Sequence, residues 1–391
     1  SKTSIEEKQT LSAKVLKAIT DTEPNKINVI DKEVKSTIIK QAVEVSKKQE
    51  EGTISDEESM VDIVSDIISK TDSETALEVI EEVNDTESES NFSLKIGAGV
   101  AEKSNQKLDS LSVIDEEEVN ELIEKAVKSA KSTNEDGELI AQVVKVTSDE
   151  LANKVVDEVS KTSTDDKKDL SAKVLKAIVD TEPSKIDSLD KEIKDKVIEQ
   201  VIESAKDQQE SLSEGQSLSK EEDFTDVVAD IVTKTDNDTV EKVFESLNEA
   251  ADTTDSKLSL SFVENLSKKD NYEEKLEILS ATSNVIEKSI DKTIENAVEE
   301  VSSEDDLEKV QNLVENSTGT LSNKILDTAN KNEENKKKIS QVIVNIIEEN
   351  PEKAVDIIDK NKNTNVVTDT IKTKIENNEA ITSEDFDQVF D

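Results

Sequence analysis

The sequence predicts an all-α protein, an elongated α-solenoid of roughly 80-residue multi-helix repeats arranged in a double period of about 160–170 residues. Three observations predict it. The chain repeats itself at long range, its apolar residues recur at helical spacing, and its 3 prolines share one local setting.

The stretch SKTSIEEKQTLSAKVLKAITDTEPNKI, from Ser1, aligns without a gap with SKTSTDDKKDLSAKVLKAIVDTEPSKI, from Ser160, at an offset of 159. The match continues as DKEVKSTIIKQAVE (31–44) on DKEIKDKVIEQVIE (190–203), DIISKTD (66–72) on DIVTKTD (230–236), and LANKVVDEVSK (151–161) on LSNKILDTANK (321–331). Self-similarity at a fixed period marks repeat architectures, in which each unit leaves apolar helix faces for its neighbours to cover. The long unit is itself double. Ile38, Ile39, Ala42 and Val43 recur as Leu122, Ile123, Ala126 and Val127, shifted by 84. Ile63, Val64, Ile67, Ile68 and Thr71 recur as Leu139, Ile140, Val143, Val144 and Thr147, shifted by 76. The chain therefore divides into the tail of a preceding repeat (1–7), repeat 1 (8–92), repeat 2 (93–166), repeat 3 (167–256), repeat 4 (257–334) and a partial repeat 5 (335–391).

Within a repeat the elements follow in order. Leu11, Val15, Leu16 and Ile19 fall on one helical face and open repeat 1. The proline comes next, in TEPNK (22–26), TEPSK (181–185) and ENPEK (349–353). It suits the first turn of a helix, where its missing N–H would be unpaired anyway, with Thr22, Thr181 or Asn350 as the expected cap. Val34, Ile38, Ile39, Ala42 and Val43 give a further helix, then Ile63, Val64, Ile67 and Ile68, then Ala76, Val79, Ile80 and Val83. TDSE (71–74) and TSDE (147–150) have the spacing of a capping box between the last two, and TDND (235–238) a weaker form. Sustained two-residue alternation is absent, so about five helices of roughly 8–16 residues are expected per repeat. Gly52, Gly137 and Gly215 read as polar junctions. Gly97 and Gly99 interrupt a helical pattern and point to close helix packing or a local break rather than a ligand loop.

The segment IIEENPEKAVDII (346–358) resembles the helix–turn–helix units of the magnesium-transporter N domain and the flagellar motor switch protein, with an apolar helix, a Pro-Glu corner and an Ala-led apolar helix. The resemblance implies an armadillo/HEAT-like superhelix and carries over no functional residue. Residues 1–3 match 160–162, the tail of a repeat's last helix, and SEDFDQVFD (383–391) resembles KEEDFTDVVAD (220–230), which opens a fourth helix. Neither end reads as a polar cap, so the sequence reads as a window onto a longer array.

Composition then narrows function. The chain has 49 basic and 93 acidic residues, a net charge of −44, and every basic residue is Lys. It has no His, Cys or Trp, and Tyr272 and Met60 are single. Ordinary zinc, haem, iron–sulfur and copper sites, and Ser–His–Asp or Cys–His machinery, cannot be assembled from such residues. Nucleic-acid and anionic-membrane binding rest on clustered positive charge, which is missing. DNDT (236–239) and DTTDS (252–256) are too short for a calcium loop, leaving only diffuse cation screening. Asn84, Asn91, Asn237, Asn265 and Asn316 head Asn-x-Ser/Thr sequons, which matter only for an extracellular chain. KKK (336–338) reads as a solvated face, and Phe92, Phe224, Phe244, Phe262, Phe386 and Phe390 as core. The expectation is a non-enzymatic structural protein with no catalytic, cofactor or metal residues. It would be a segment of a large repetitive bacterial filament, sheath or stalk, extracellular or at the cell surface. It would associate with itself or with neighbouring repeats of its own chain, with no nucleic acid bound and no membrane insertion within this segment. The alternative is an intracellular, cytoplasmic α-solenoid scaffold for a protein partner.

Overall fold

A computed structural model describes residues 5–53, 59–86, 90–163, 167–213, 223–252, 257–317 and 319–349. Every regular element among them is helical. The chain divides into two compact units, Ser1–Gln200 and Val201–Asp391.

The first unit opens with α1 (Ile5–Thr22), a 3-10 helix (Pro24–Val29), α2 (Lys32–Glu50), α3 (Met60–Lys70) and α4 (Ser73–Asn84). The same five-element order follows as α5 (Phe92–Lys103), α6 (Lys107–Ser112), α7 (Glu116–Ser129), α8 (Asn134–Val146) and α9 (Asp149–Thr162). It starts again with α10 (Leu170–Thr181), α11 (Ser184–Asp187) and α12 (Lys191–Ser213), the last of which runs past the end of the unit. The second unit continues with α13 (Phe224–Lys234) and α14 (Asn237–Ala251), then α15 (Leu258–Ser267), α16 (Tyr272–Thr282), α17 (Asn284–Glu299), α18 (Glu304–Asn316), α19 (Thr320–Asp327), a 3-10 helix (Thr328–Asn330) and α20 (Glu333–Glu349), the last described element.

Most of the helices are short and amphipathic, so tertiary packing of the apolar face holds them. Within each unit the packing is all-α and solenoidal. The fourth helix of one repeat covers the first helix of the next: α3 on α5 and α8 on α10 in the first unit, α13 on α15 and α18 on α20 in the second. The core is mostly Val, Ile, Leu and Ala, with Phe92, Phe224, Phe244 and Phe262 buried. Phe244 and Phe262 meet edge to face at 5.8 Å. Phe386 and Phe390, like Asn350, lie outside the described residues.

Three local expectations are corrected. Thr22 and Thr181 do not cap the next element. Their hydroxyls donate back to the Ala18 and Ala177 carbonyls at 2.7 Å, ending α1 and α10. Thr71, Thr147 and Thr235 also end helices, by donating to the Ile67, Val143 and Ile231 carbonyls. The N-cap is the next residue: Asp72, Ser148 and Asp236 accept from the N–H groups of Thr75, Leu151 and Thr239. True capping boxes occur elsewhere, at Thr133/Asp136 and Ser303/Asp306. Finally, Gly137 is inside α8 and not at a junction, because its missing side chain admits the Lys173 backbone. Gly52 does close a helix, at φ +71° after α2.

Candidate functional site: the junctions between repeats

The chemistry of this chain is concentrated where one repeat meets the next. A helix leaves its last carbonyls without intrahelical partners, and its carboxyl end carries partial negative charge. At three of these junctions a lysine from the following repeat answers both. Lys107 Nζ donates to the Thr71 carbonyl at 2.6 Å, Lys185 Nζ to the Thr147 carbonyl at 2.7 Å, and Lys275 Nζ to the Thr235 carbonyl at 2.8 Å. The three threonines are the equivalent C-caps of α3, α8 and α13. The lysines are equally equivalent, each following the corner after a first helix, and Lys185 is the last residue of TEPSK. Burial pulls the Lys107 ammonium below the usual lysine range, with the Asp72 carboxylate opposing. Lysine suits the task, since it brings three donors on a flexible stem.

Lysine caps recur at other helix ends. Lys125 Nζ donates to the Asn84 carbonyl at the end of α4, and Lys338 Nζ to the Glu299 carbonyl at 2.8 Å, ending α17. So Lys338, in the basic run 336–338, is a helix cap and not part of a solvated face. The sequence signal was in view, as a Lys followed by Leu or Ile shortly after each of these first helices. Only the structure shows what it reaches.

Two junction types alternate. At α3–α5 and α13–α15 a lysine also forms ion pairs: Lys103 with Asp66 at 3.3 Å, and Lys269 with Asp230 at 3.0 Å and Asp226 at 2.7 Å. At α8–α10 the corresponding residues are Gln142 and Thr181, and the helices are drawn together by Gly137 instead. A groove of about 440 Å³ runs along this junction, lined by Gln142, Lys145, Lys176 and Thr181 among others.

Buried and half-buried carboxylates set the amino ends. Asp136 is 1% exposed, accepts from Asn91 Nδ2 at 3.0 Å and belongs to the capping box of α8. Burial works against its charge, but the Asn91 amide and the Thr133 hydroxyl hold its carboxyl below the usual range. Asp306 stands at the same place in α18. Burial opposes its charge too, and Lys257 with Ser303 brings it down to about 2. Glu300 accepts from the Ser259 and Leu260 N–H groups at 3.1 and 2.8 Å, serving the first turn of α15. Burial pushes its carboxyl up to about 7 despite those two bonds.

The remaining candidates fall in structural places. Asp236 is an N-cap, and Asp252 pairs with Lys292 at 2.8 Å, while residues 253–256 lie outside the described part. Among the described residues no group of three or more Asp or Glu could hold a metal ion, and no helix is long and apolar enough to cross a membrane. Of the sequons, Asn84 and Asn265 are buried and their amides donate to Glu118 and to Asp223 and Thr225. Asn91 is engaged with Asp136, and Asn316 is exposed at the end of α18.

No protein-family profile matches the chain, and no curated protein matches it. Among solved structures the chain is similar to a protein described as a circular tandem repeat protein with novel repeat topology and enhanced subunit contact surfaces. The two share 16% identity over 98% of this chain and 96% of the other, with a TM-score of 0.36.

Proposed function

We propose that this chain is a non-enzymatic structural protein, a stretch of a large repetitive surface or extracellular filament, sheath or stalk of a bacterium. One observation carries the reading. The same lysine-to-threonine-carbonyl contact joins consecutive repeats at three junctions, so the recurring chemistry of the sequence is spent on joining copies. Net charge of −44 keeps such an array soluble and discourages lateral collapse in low salt. A second reading, a scaffold for a protein partner inside the cell, is favoured by the groove at α8–α10, where the Lys–Asp pair of the other junctions is replaced. Labelling intact, unpermeabilised source cells with antibody to this chain separates the two. Label on surface fibres is the expected result. Label that needs permeabilisation overturns the surface reading and favours the scaffold.

A further inference from the structure

The first helix of repeat 1 is not seated as its counterparts are. Leu11 is 60% and Val15 47% exposed, whereas Leu170 and Val174, at the same positions of α10, are both 0% exposed. Phe92 and Ile96 in α5, and Leu258 and Phe262 in α15, are buried as completely. In those three cases the cover is a fourth helix, α3, α8 or α13. Lys26 tells the same story. Its three counterparts donate to a threonine carbonyl, but its own side chain is 63% exposed and its ammonium meets Glu23 at 2.8 Å.

The sequence says which kind of fourth helix fits. Lys14, Lys17, Ala18, Asp21 and Thr22 of α1 answer Lys173, Lys176, Ala177, Asp180 and Thr181 of α10. The Thr22 position holds Lys103 in α5 and Lys269 in α15, which need Asp66 and Asp230 opposite. A first helix with threonine there is matched, in this molecule, by α8. That helix carries Gln142 in place of the aspartate and Gly137 at the close approach.

We propose that the exposed face of α1 is a docking seat for the fourth helix of one further repeat of the α5–α9 kind, joined in tandem. Lys26 then swings from Glu23 to the last carbonyl of that helix. The proposal names the partner of the array reading but rests on packing alone, so it stands or falls separately from where the protein resides. A large apolar face covered by a like element at four of five equivalent positions is a request for the same element at the fifth.

The test joins a second copy of residues 93–159 directly ahead of Ser1 in the full chain, the register set by the offset of 159. Hydrogen exchange should slow at least tenfold in α1, approaching α10, and Gly137→Leu in the added copy should abolish the gain. Fast exchange in α1 beside a protected added copy overturns the proposal. Should the added copy fail to fold, Leu11→Asp with Val15→Asp in the unextended chain decides. An unchanged urea midpoint supports an open seat. A loss as large as that of Leu170→Asp with Val174→Asp shows the face already covered and overturns it. Sedimentation equilibrium of the unextended chain completes the set, because a dimer that Leu11→Asp dissolves gives the seat to a second copy and overturns the tandem occupant.

Discussion

Helices α1 and α10 share nine consecutive residues, LSAKVLKAI at 11–19 and 170–178, and live in different surroundings. In α10 the leading leucine is buried under α8, and in α1 the same leucine is open to solvent. The pattern of a sequence fixes which face a helix needs covered. Whether the face is covered depends on a neighbour that the local pattern does not contain. In a repeat protein, stability is accordingly the sum of what a repeat does for itself and what its neighbours do for it.

The sharpest way to break the comparison is to cut the same atoms from both helices. Leu170→Ala should cost about 3 kcal/mol, the usual range for a buried leucine left with a partly relaxed cavity. Leu11→Ala should cost under about 0.5 kcal/mol, as exposed substitutions do. Urea denaturation of the two variants measures both. Equal losses would mean that α1 and α10 are seated alike.

A second difference separates α10 from α15. The first turn of α10 is served by a neutral hydroxyl, Ser163 Oγ accepting from the Ser171 N–H at 3.0 Å. That of α15 is served by Glu300, whose carboxyl is raised by burial to about 7. A carboxyl raised in the folded state holds its proton there while the unfolded chain has released its own. Its stabilising contribution is therefore full near pH 4.5 and lost as pH rises through about 7. The loss should amount to about 3 kcal/mol across that window, at 1.36 kcal/mol per pKa unit. Exchange in α15, corrected for intrinsic rates, should speed with pH while α10 does not follow. Glu300→Gln should flatten the response and stabilise the protein at pH 8. A slope that survives this substitution would assign the effect to another group.

The close approach of α8 to α10 offers a smaller lever. A Cβ at position 137 would lie 2.8 Å from the Lys173 carbonyl oxygen, and backbone cannot turn aside as a side chain can. Gly137→Ala should cost about 1–2 kcal/mol, overpacking outweighing the gain in helix propensity. Differential exchange should find the loss at α8 and α10, leaving α1 untouched.

Gly97 and Gly99 show how much of this was legible beforehand. Both interrupt a helical pattern, which reads as close packing or a local break. There is no break, since α5 runs through both; close packing holds for Gly99, where a Cβ would meet Ser65 Oγ at 2.5 Å, and not for Gly97, where nothing lies within 4 Å. Gly97 instead borders a void of about 20 Å³ among Leu94, Leu108 and Leu122. Periodicity revealed the all-α fold and the buried faces, because helical spacing is local. The seat of each face was not local: Thr71 looked like an N-cap, and nothing in TDSE says that Lys107 reaches its carbonyl from 36 residues on. Since every basic residue is Lys, lysine is the cation of every such cap.

The last comparison sets Lys185 against Lys26, the closing residues of TEPSK and TEPNK. Lys185 holds the Thr147 carbonyl and also Asp149 at 3.1 Å, with its side chain 17% exposed. A cation at a helix carboxyl end contributes about 0.3–1 kcal/mol when exposed and up to about 2 kcal/mol when partly buried. Lys185→Met keeps the aliphatic stem and removes the charge, so about 1 kcal/mol should be lost. Lys26→Met removes only an exposed pair with Glu23, for which double-mutant cycles on such pairs predict almost nothing. Urea midpoints read both. The pair becomes decisive with the added repeat in place. If Lys26 then closes on a threonine carbonyl as Lys185 does, Lys26→Met should acquire the cost of Lys185→Met, although no residue of its own repeat has changed.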